Sequence, residues 1–144
     1  MFAREDLDLE RRLAAVMAAD VVGYSRMMGA DEEAALNALS DLRHNIFEPA
    51  VASHQGRVIK RMGDGWLVEF SSALNAVRCA ISVQESLLDH PSTKLRIGVH
   101  VGDVVHDDEG DIYGDGVNIA ARLEGAAKPC GIAISDQVFR LSGP

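Results

Sequence analysis

The sequence predicts an α+β domain, a ferredoxin-like βαββαβ core with added strands and helices, and three observations predict it. Strand-like apolar runs and helix-periodic stretches follow one another in that order, a Gly-flanked turn joins two of the strands, and 47% apolar residues in 144 suffice for one packed core.

The charged segment 1–12 reads as a solvated lead-in, and residues 13–144 as the domain. Residues 13–22 are a small-residue apolar run broken by Asp20 and closed by Gly23, the pattern of a buried strand ending in a tight loop. Asp31, Glu32 and Glu33 suit a helix N-terminus, and Leu36, Leu39, Leu42 and Ile46 recur at helical spacing, so a long helix is expected to about residue 54. Pro49 predicts a kink or break within it, and Gln55-Gly56 its end. Residues 57–61 and 66–70 are β-type runs, and Met62-Gly63-Asp64-Gly65 between them predicts a hairpin with Asp64 at its tip.

Ala73, Ala76, Val77, Ala80 and Leu87 share one face of a helix over 72–89, which the His90-Pro91-Ser92 turn stops. Residues 95–101 alternate as a strand that continues at 104–106 after Gly102. A turn at 107–110 leads to an added strand and a helix ending near Ala127; residues 132–135 form a last strand, and Asp136 caps a short closing helix. One antiparallel sheet covered by helices is the expected result.

A net charge of -8 and a pI near 5.0 argue against a nucleic-acid groove and against attraction to an anionic membrane. Cys79 and Cys130 show no CxxC and no histidine at ligand spacing, so neither a disulfide framework nor a zinc site is predicted, and a reducing cytoplasm fits. The apolar run at 13–19 is far short of the roughly 20 residues of a spanning helix, so no membrane contact is expected from this segment.

The chemistry-bearing positions are few. Asn118 and Arg122 lie four apart on a mostly apolar helix and therefore point the same way, two strong donors suited to an anion. Asp20 ends a strand that lies centrally in a ferredoxin-like order, beside the hairpin carrying Asp64; converging carboxylates suit hard Mg²⁺ or Mn²⁺ ions. The loop at 21–25 offers amides to a triphosphate. Lys60 precedes Asp64 by an even spacing and projects toward the same neighbourhood. Each has a plainer reading: a turn-forming aspartate, a solvated lysine, a polar helix edge. His100 in an apolar strand reads as a satisfied core histidine, and Arg96 on that strand, long enough to reach a phosphate, is given no site role.

Taken together, these residues resemble the class III adenylate and guanylate cyclase catalytic domain, in order, from about residue 11 to 140. Ala19-Asp20-Val21-Val22-Gly23-Tyr24-Ser25 resembles its first metal-aspartate loop, and Lys60-Arg61-Met62-Gly63-Asp64-Gly65 its hairpin with a purine-reading lysine and second metal aspartate. Asp111-Ile112-Tyr113-Gly114 and Val117-Asn118-Ile119-Ala120-Ala121-Arg122-Leu123-Glu124 are similar to its base-reading acid and transition-state helix. The resemblance implies a nucleotide cyclase fold with two Mg²⁺ or Mn²⁺ ions per site, held by Asp20, Asp64 and Val21. It implies triphosphate contacts from Val22, Gly23, Tyr24 and Ser25, transition-state stabilisation by Arg122, and ribose orientation by Asn118. Lys60 and Asp111 would read adenine, an ammonium donating to a ring acceptor and a carboxylate accepting from the exocyclic amine. The guanylate members resemble a Glu and a Cys at those two positions, so ATP is the expected substrate.

The resemblance further implies a head-to-tail homodimer, with the metal half of each site from one copy and Lys60, Asp111, Asn118 and Arg122 from the other. Family domains continue past the closing helix into a hairpin bearing a triphosphate-contacting lysine, whereas this sequence stops at Ser142-Gly143-Pro144; the expected domain is therefore C-terminally truncated. A cyclase-like dimerisation or regulatory module with little turnover is the alternative. A diguanylate cyclase would need a Gly-Gly-acid-Glu-Phe hairpin in place of Met62-Gly63-Asp64-Gly65-Trp66.

Overall fold

The computed structural model describes residues 10–90 and 92–142. The lead-in up to residue 9, Pro91 of the predicted turn and the last two residues lie outside them. In chain order the elements are β1 (Glu10–Val21), α1 (Tyr24–Ala30), α2 (Glu32–Asp41), a π-helical stretch (Leu42–Phe47), α3 (Glu48–Ser53), β2 (Arg57–Met62), β3 (Gly65–Phe70) and α4 (Ala73–Leu87). They continue with β4 (Leu95–His106), β5 (Ile112–Tyr113), α5 (Asp115–Ala126), β6 (Ile132–Ile134) and α6 (Asp136–Ser142). The sheet runs β2-β3-β1-β4-β5, with β6 also beside β4. β1 is therefore central and pairs antiparallel with β3 and β4, as the ferredoxin-like order requires.

Five details differ from the expectation. β1 begins three residues inside the charged lead-in, because Glu10, Arg11 and Arg12 pair with His106, Val105 and Val104 of an equally long β4; ladder pairing does not need apolar side chains at an exposed strand end. β4 continues through Gly102, as expected. The loop after Asp20 turns at once into α1, entered from left-handed Gly23. The long helix widens before Pro49, at Leu42–Phe47, where the Glu48 amide reaches back five residues to the Arg43 carbonyl; the wider turn accommodates a proline that would otherwise collide with the preceding carbonyl. β6 runs parallel to β4, so the sheet is mixed. Ser135, not Asp136, caps α6, its hydroxyl accepting from the Val138 amide, while Asp136 pairs with Arg140 at 2.8 Å.

Alternation places two cores on the two sheet faces. On one face Ala15, Met17, Ala19, Trp66, Phe70, Ile97 and Val99 pack against Ala76, Ala80 and Val83 of α4 and against Phe47, whose ring stacks on Trp66 at 4.3 Å. On the other, Ala14, Val16, Ala18, Leu67, Val104 and Ile112 meet Ala120 of α5. That second face carries the polar residues of interest.

Candidate active site

Gly98 determines how α5 sits. A Cβ there would lie 2.3 Å from the Glu124 nitrogen and 2.6 Å from the Ala120 carbonyl oxygen, so the helix backbone rests directly on β4. Gly116, Ala120 and Ala127 face the sheet and are buried, while Asn118 and Arg122 are exposed on the opposite side of the helix. The two donors share a direction, as their spacing predicts, and that direction leads away from this chain's own Asp20.

Asp20 ends β1 opposite Gly65 of β3 and Arg96 of β4. The Val21 amide donates to the Asp64 carbonyl at 3.1 Å and holds the hairpin tip against the strand end. Gly65 permits the approach: a Cβ there would lie 2.5 Å from the Ala19 carbonyl oxygen and 3.0 Å from the Asp20 Cβ. The half-buried Glu124 projects from α5 toward the same place.

Three carboxyl groups and the single guanidinium of Arg96 thus share one strand end. Burial, and then the Asp64 charge, push the Asp20 carboxyl above its ordinary value, against a hydrogen bond with Glu124 and the weaker pull of Arg96. Burial and the Asp20 charge raise Glu124 as well, to about 7. Asp20 Oδ1 and Arg96 Nε are buried without hydrogen-bond partners. An unpartnered buried carboxylate oxygen amid excess negative charge suits a divalent cation, so the donor set fits the implied metals. Among the described residues no three His, Cys, Asp or Glu side chains converge as a ready-made cage. Asp20, Asp64 and a backbone carbonyl would supply only part of a coordination shell, as Mg²⁺ tolerates when substrate phosphates and water complete it.

The amide loop is less free than its sequence suggests. The Val21 amide is taken by Asp64, and the Val22 amide by the Lys94 carbonyl at 2.8 Å. Gly23, Tyr24 and Ser25 lead into α1, whose first turn has no intrahelical acceptors for its amides.

Lys60 does not meet Asp64. The register slips between Val58 and Lys60, and the Lys60 ammonium pairs with Asp111 at 3.1 Å instead. Asp111 is held firmly. Its Oδ1 accepts from the Ile112 amide at 2.7 Å, and its own amide donates to Asp107 Oδ1 at 2.9 Å. The Tyr113 hydroxyl donates to Asp107 Oδ2 at 3.0 Å. The Asp111 amide leads the contacts that keep the Asp107 carboxyl below its ordinary range, while Asp107 pushes the Tyr113 phenol up to about 12.

His100 is buried beside Gly102, but its Nδ1 has no partner, contrary to the expected satisfied histidine; burial lowers its pKa. Cys79 is free and buried, which pushes its thiol up to about 12, and Cys130 is free and exposed. No helix among the described residues is long and apolar enough to cross a membrane. Sequence reasoning did not give Glu124 a role. Its signal was present: Ala120, Glu124 and Ala127 recur at four and three along the buried side of α5.

The sequence is 50% identical over 137 residues to "Putative adenylate cyclase 3" of Rhizobium meliloti (strain 1021), covering 90% of this chain and 23% of that protein. It is 32% identical over 138 residues to an adenylate cyclase of Streptomyces coelicolor, covering 95% of this chain and 36% of that one. The chain thus spans about a quarter to a third of these relatives' lengths. The fold matches the crystal structure of an adenylate/guanylate cyclase/hydrolase from Silicibacter pomeroyi with a TM-score of 0.86 at 40% identity, over 93% of this chain and 81% of that one. It also matches the adenylyl cyclase CyaB from P. aeruginosa with a TM-score of 0.84 at 21% identity, over 92% and 81%. The family described as the adenylate and guanylate cyclase catalytic domain matches residues 10–143, and the chain belongs to that family.

Proposed function

We propose that this chain is an adenylate cyclase catalytic domain that converts ATP to 3',5'-cyclic AMP and pyrophosphate at sites shared by two copies of itself. The observation that carries the reading is the Lys60–Asp111 pair at 3.1 Å, an ammonium and a carboxylate fixed side by side. Adenine offers a ring acceptor to the first and an amine to the second; guanine presents a carbonyl where the amine would be and leaves the carboxylate facing an acceptor.

Asp20, Asp64 and the Val21 carbonyl would hold two Mg²⁺ or Mn²⁺ ions, which when bound ease ionisation of the ribose 3'-hydroxyl and offset triphosphate charge. The amides of Gly23, Tyr24 and Ser25 face the phosphates, with Val22 shaping the loop. Arg122 places a guanidinium where charge grows on the α-phosphate during in-line attack, and Asn118 orients the ribose. Exposure of Asn118 and Arg122 on the side of α5 away from Asp20 supports a head-to-tail dimer, because the two halves do not face each other within one chain. A cyclase assay with ATP and GTP, each with Mg²⁺ and Mn²⁺, tests the reading. Cyclic AMP formation that loses base selectivity in the Lys60→Glu, Asp111→Cys double variant supports it. An unaltered ATP:GTP preference in that variant contradicts the base assignment, and no turnover with either nucleotide favours a regulatory module.

A further inference from the structure

Behind the Lys60–Asp111 pair lies a polar network that the cyclase chemistry does not itself require. Glu69 of β3 is central to it. Its Oε1 accepts from Arg57 Nη2 at 2.9 Å, and its Oε2 meets His106 Nε2. The His106 Nδ1 accepts from Arg12 Nε at 3.3 Å, and since an arginine only donates, the ring proton sits on Nε2 and points at Glu69. Glu69 and His106 expose only 12% and 7% of their side chains, so this is a buried carboxylate with fixed donors on both oxygens. Arg57 carries the connection outward, because its Nη1 donates to the Gly110 carbonyl at 3.4 Å. Gly110 immediately precedes Asp111, and His106 pairs with Ile112, which immediately follows it.

We propose that Glu69, acting through Arg57 on one side and His106 on the other, is a positioning residue for Asp111 and so sets the selectivity for the adenine base. The inference rests on the base-reading role given above to Lys60 and Asp111. Within the 107–111 turn, the Asp107 side chain fixes the conformation of the loop. Apart from the Lys60–Asp111 pair that is to be positioned, the turn's own contacts do not fix where it stands relative to β2, the strand that carries Lys60. Arg57 does so, three residues before Lys60 on β2 and across a register slip, by joining β2 and β3 to the Gly110 carbonyl. The distance from carboxylate to ammonium, and with it the angle presented to a purine edge, is thereby tied to a buried anchor.

Binding of 3'-deoxy-ATP and 3'-deoxy-GTP, which lack the attacking hydroxyl and cannot cyclise, tests this by calorimetry. Asp111→Ala should abolish the preference for the adenine analogue; if it does not, the base-reading role fails and this inference with it. Given that loss, Arg57→Ala and Glu69→Gln should each lower the preference about five-fold through weaker 3'-deoxy-ATP binding, with 3'-deoxy-GTP binding unchanged, and Arg57→Lys should restore part of it. Arg57 is exposed enough that its truncation should leave folding intact, so it reads independently of Glu69. A preference unchanged in Arg57→Ala and Glu69→Gln, or equal losses for both analogues, would overturn the inference and leave these residues purely structural.

Discussion

The two polar regions on the α5 side of the sheet are built on opposite electrostatic plans. At the end of β1, Asp20, Asp64 and Glu124 crowd around one guanidinium; Asp20 Oδ1 and Arg96 Nε have no partners, and both Asp20 and Glu124 are pushed toward their protonated forms. At the β2 and β5 edge, Lys60, Asp107, Asp111 and Tyr113 pair with one another and with backbone amides. Strain in the first region is relieved by adding positive charge. Under the proposed function the second is already arranged to read a base and loses by any change. A site that must accept cations with its substrate gains from the first arrangement, and one that must discriminate between bases gains from the second.

The sharpest way to separate them is Asp20→Ala, which should reduce Mn²⁺-supported cyclic AMP formation about 10³-fold while thermal melting without metal stays level or rises, since a crowded charge has gone. Loss of activity together with loss of folding would contradict the view of Asp20 as electrostatically unrelieved. Gly98→Ala attacks the placement of α5 itself. Its methyl group would collide with the Glu124 nitrogen, and a destabilisation of about 3 kcal/mol should appear in urea melts.

The pH dependence of the metal-free protein probes the first region more gently. Glu124 titrates near 7 in the folded chain against an ordinary 4.5, so the stability it contributes is complete below about 4.5 and is lost as pH rises through 7. Melting temperature should therefore fall by about 3 °C from this group between pH 5 and pH 8, allowing for its partial exposure, and Mn²⁺ or Glu124→Gln should flatten that slope. A slope of the opposite sign would remove the carboxyl pair from the account. The smallest effect belongs to the second region: Tyr113→Phe deletes one exposed bond to Asp107 and should weaken ATP binding only about two-fold.

These two regions also differ in how far they can be read from sequence. The strand order, the hairpin tip at Asp64 and the shared direction of Asn118 and Arg122 follow from periodicity and turn chemistry, which are local. The pairing of Lys60 with Asp111 is implied by the family resemblance and not by local pattern, because a register slip between Val58 and Lys60 leaves no mark in composition, and even spacing pointed to Asp64. Glu124 was legible only in part: its spacing from Ala120 and Ala127 marks the buried side of α5, but its approach to Asp20 depends on Gly98, which brings the helix backbone onto β4. Pro49 signalled a disturbance, but the π-helical stretch that absorbs it lies one turn earlier. Ser135 and Asp136 are both good N-caps, and only the backbone decides between them.

The central claim is that each site draws its metal half from one copy and its Asn118 and Arg122 half from another. Mixing Asp20→Ala protein with Asn118→Ala protein, each inactive alone, measures this directly, since a mixed dimer rebuilds one complete site of its two. With random exchange, cyclic AMP formation should return to about a quarter of the wild-type rate per site. No recovery after subunit exchange has been verified would place each complete site within one chain and contradict the account.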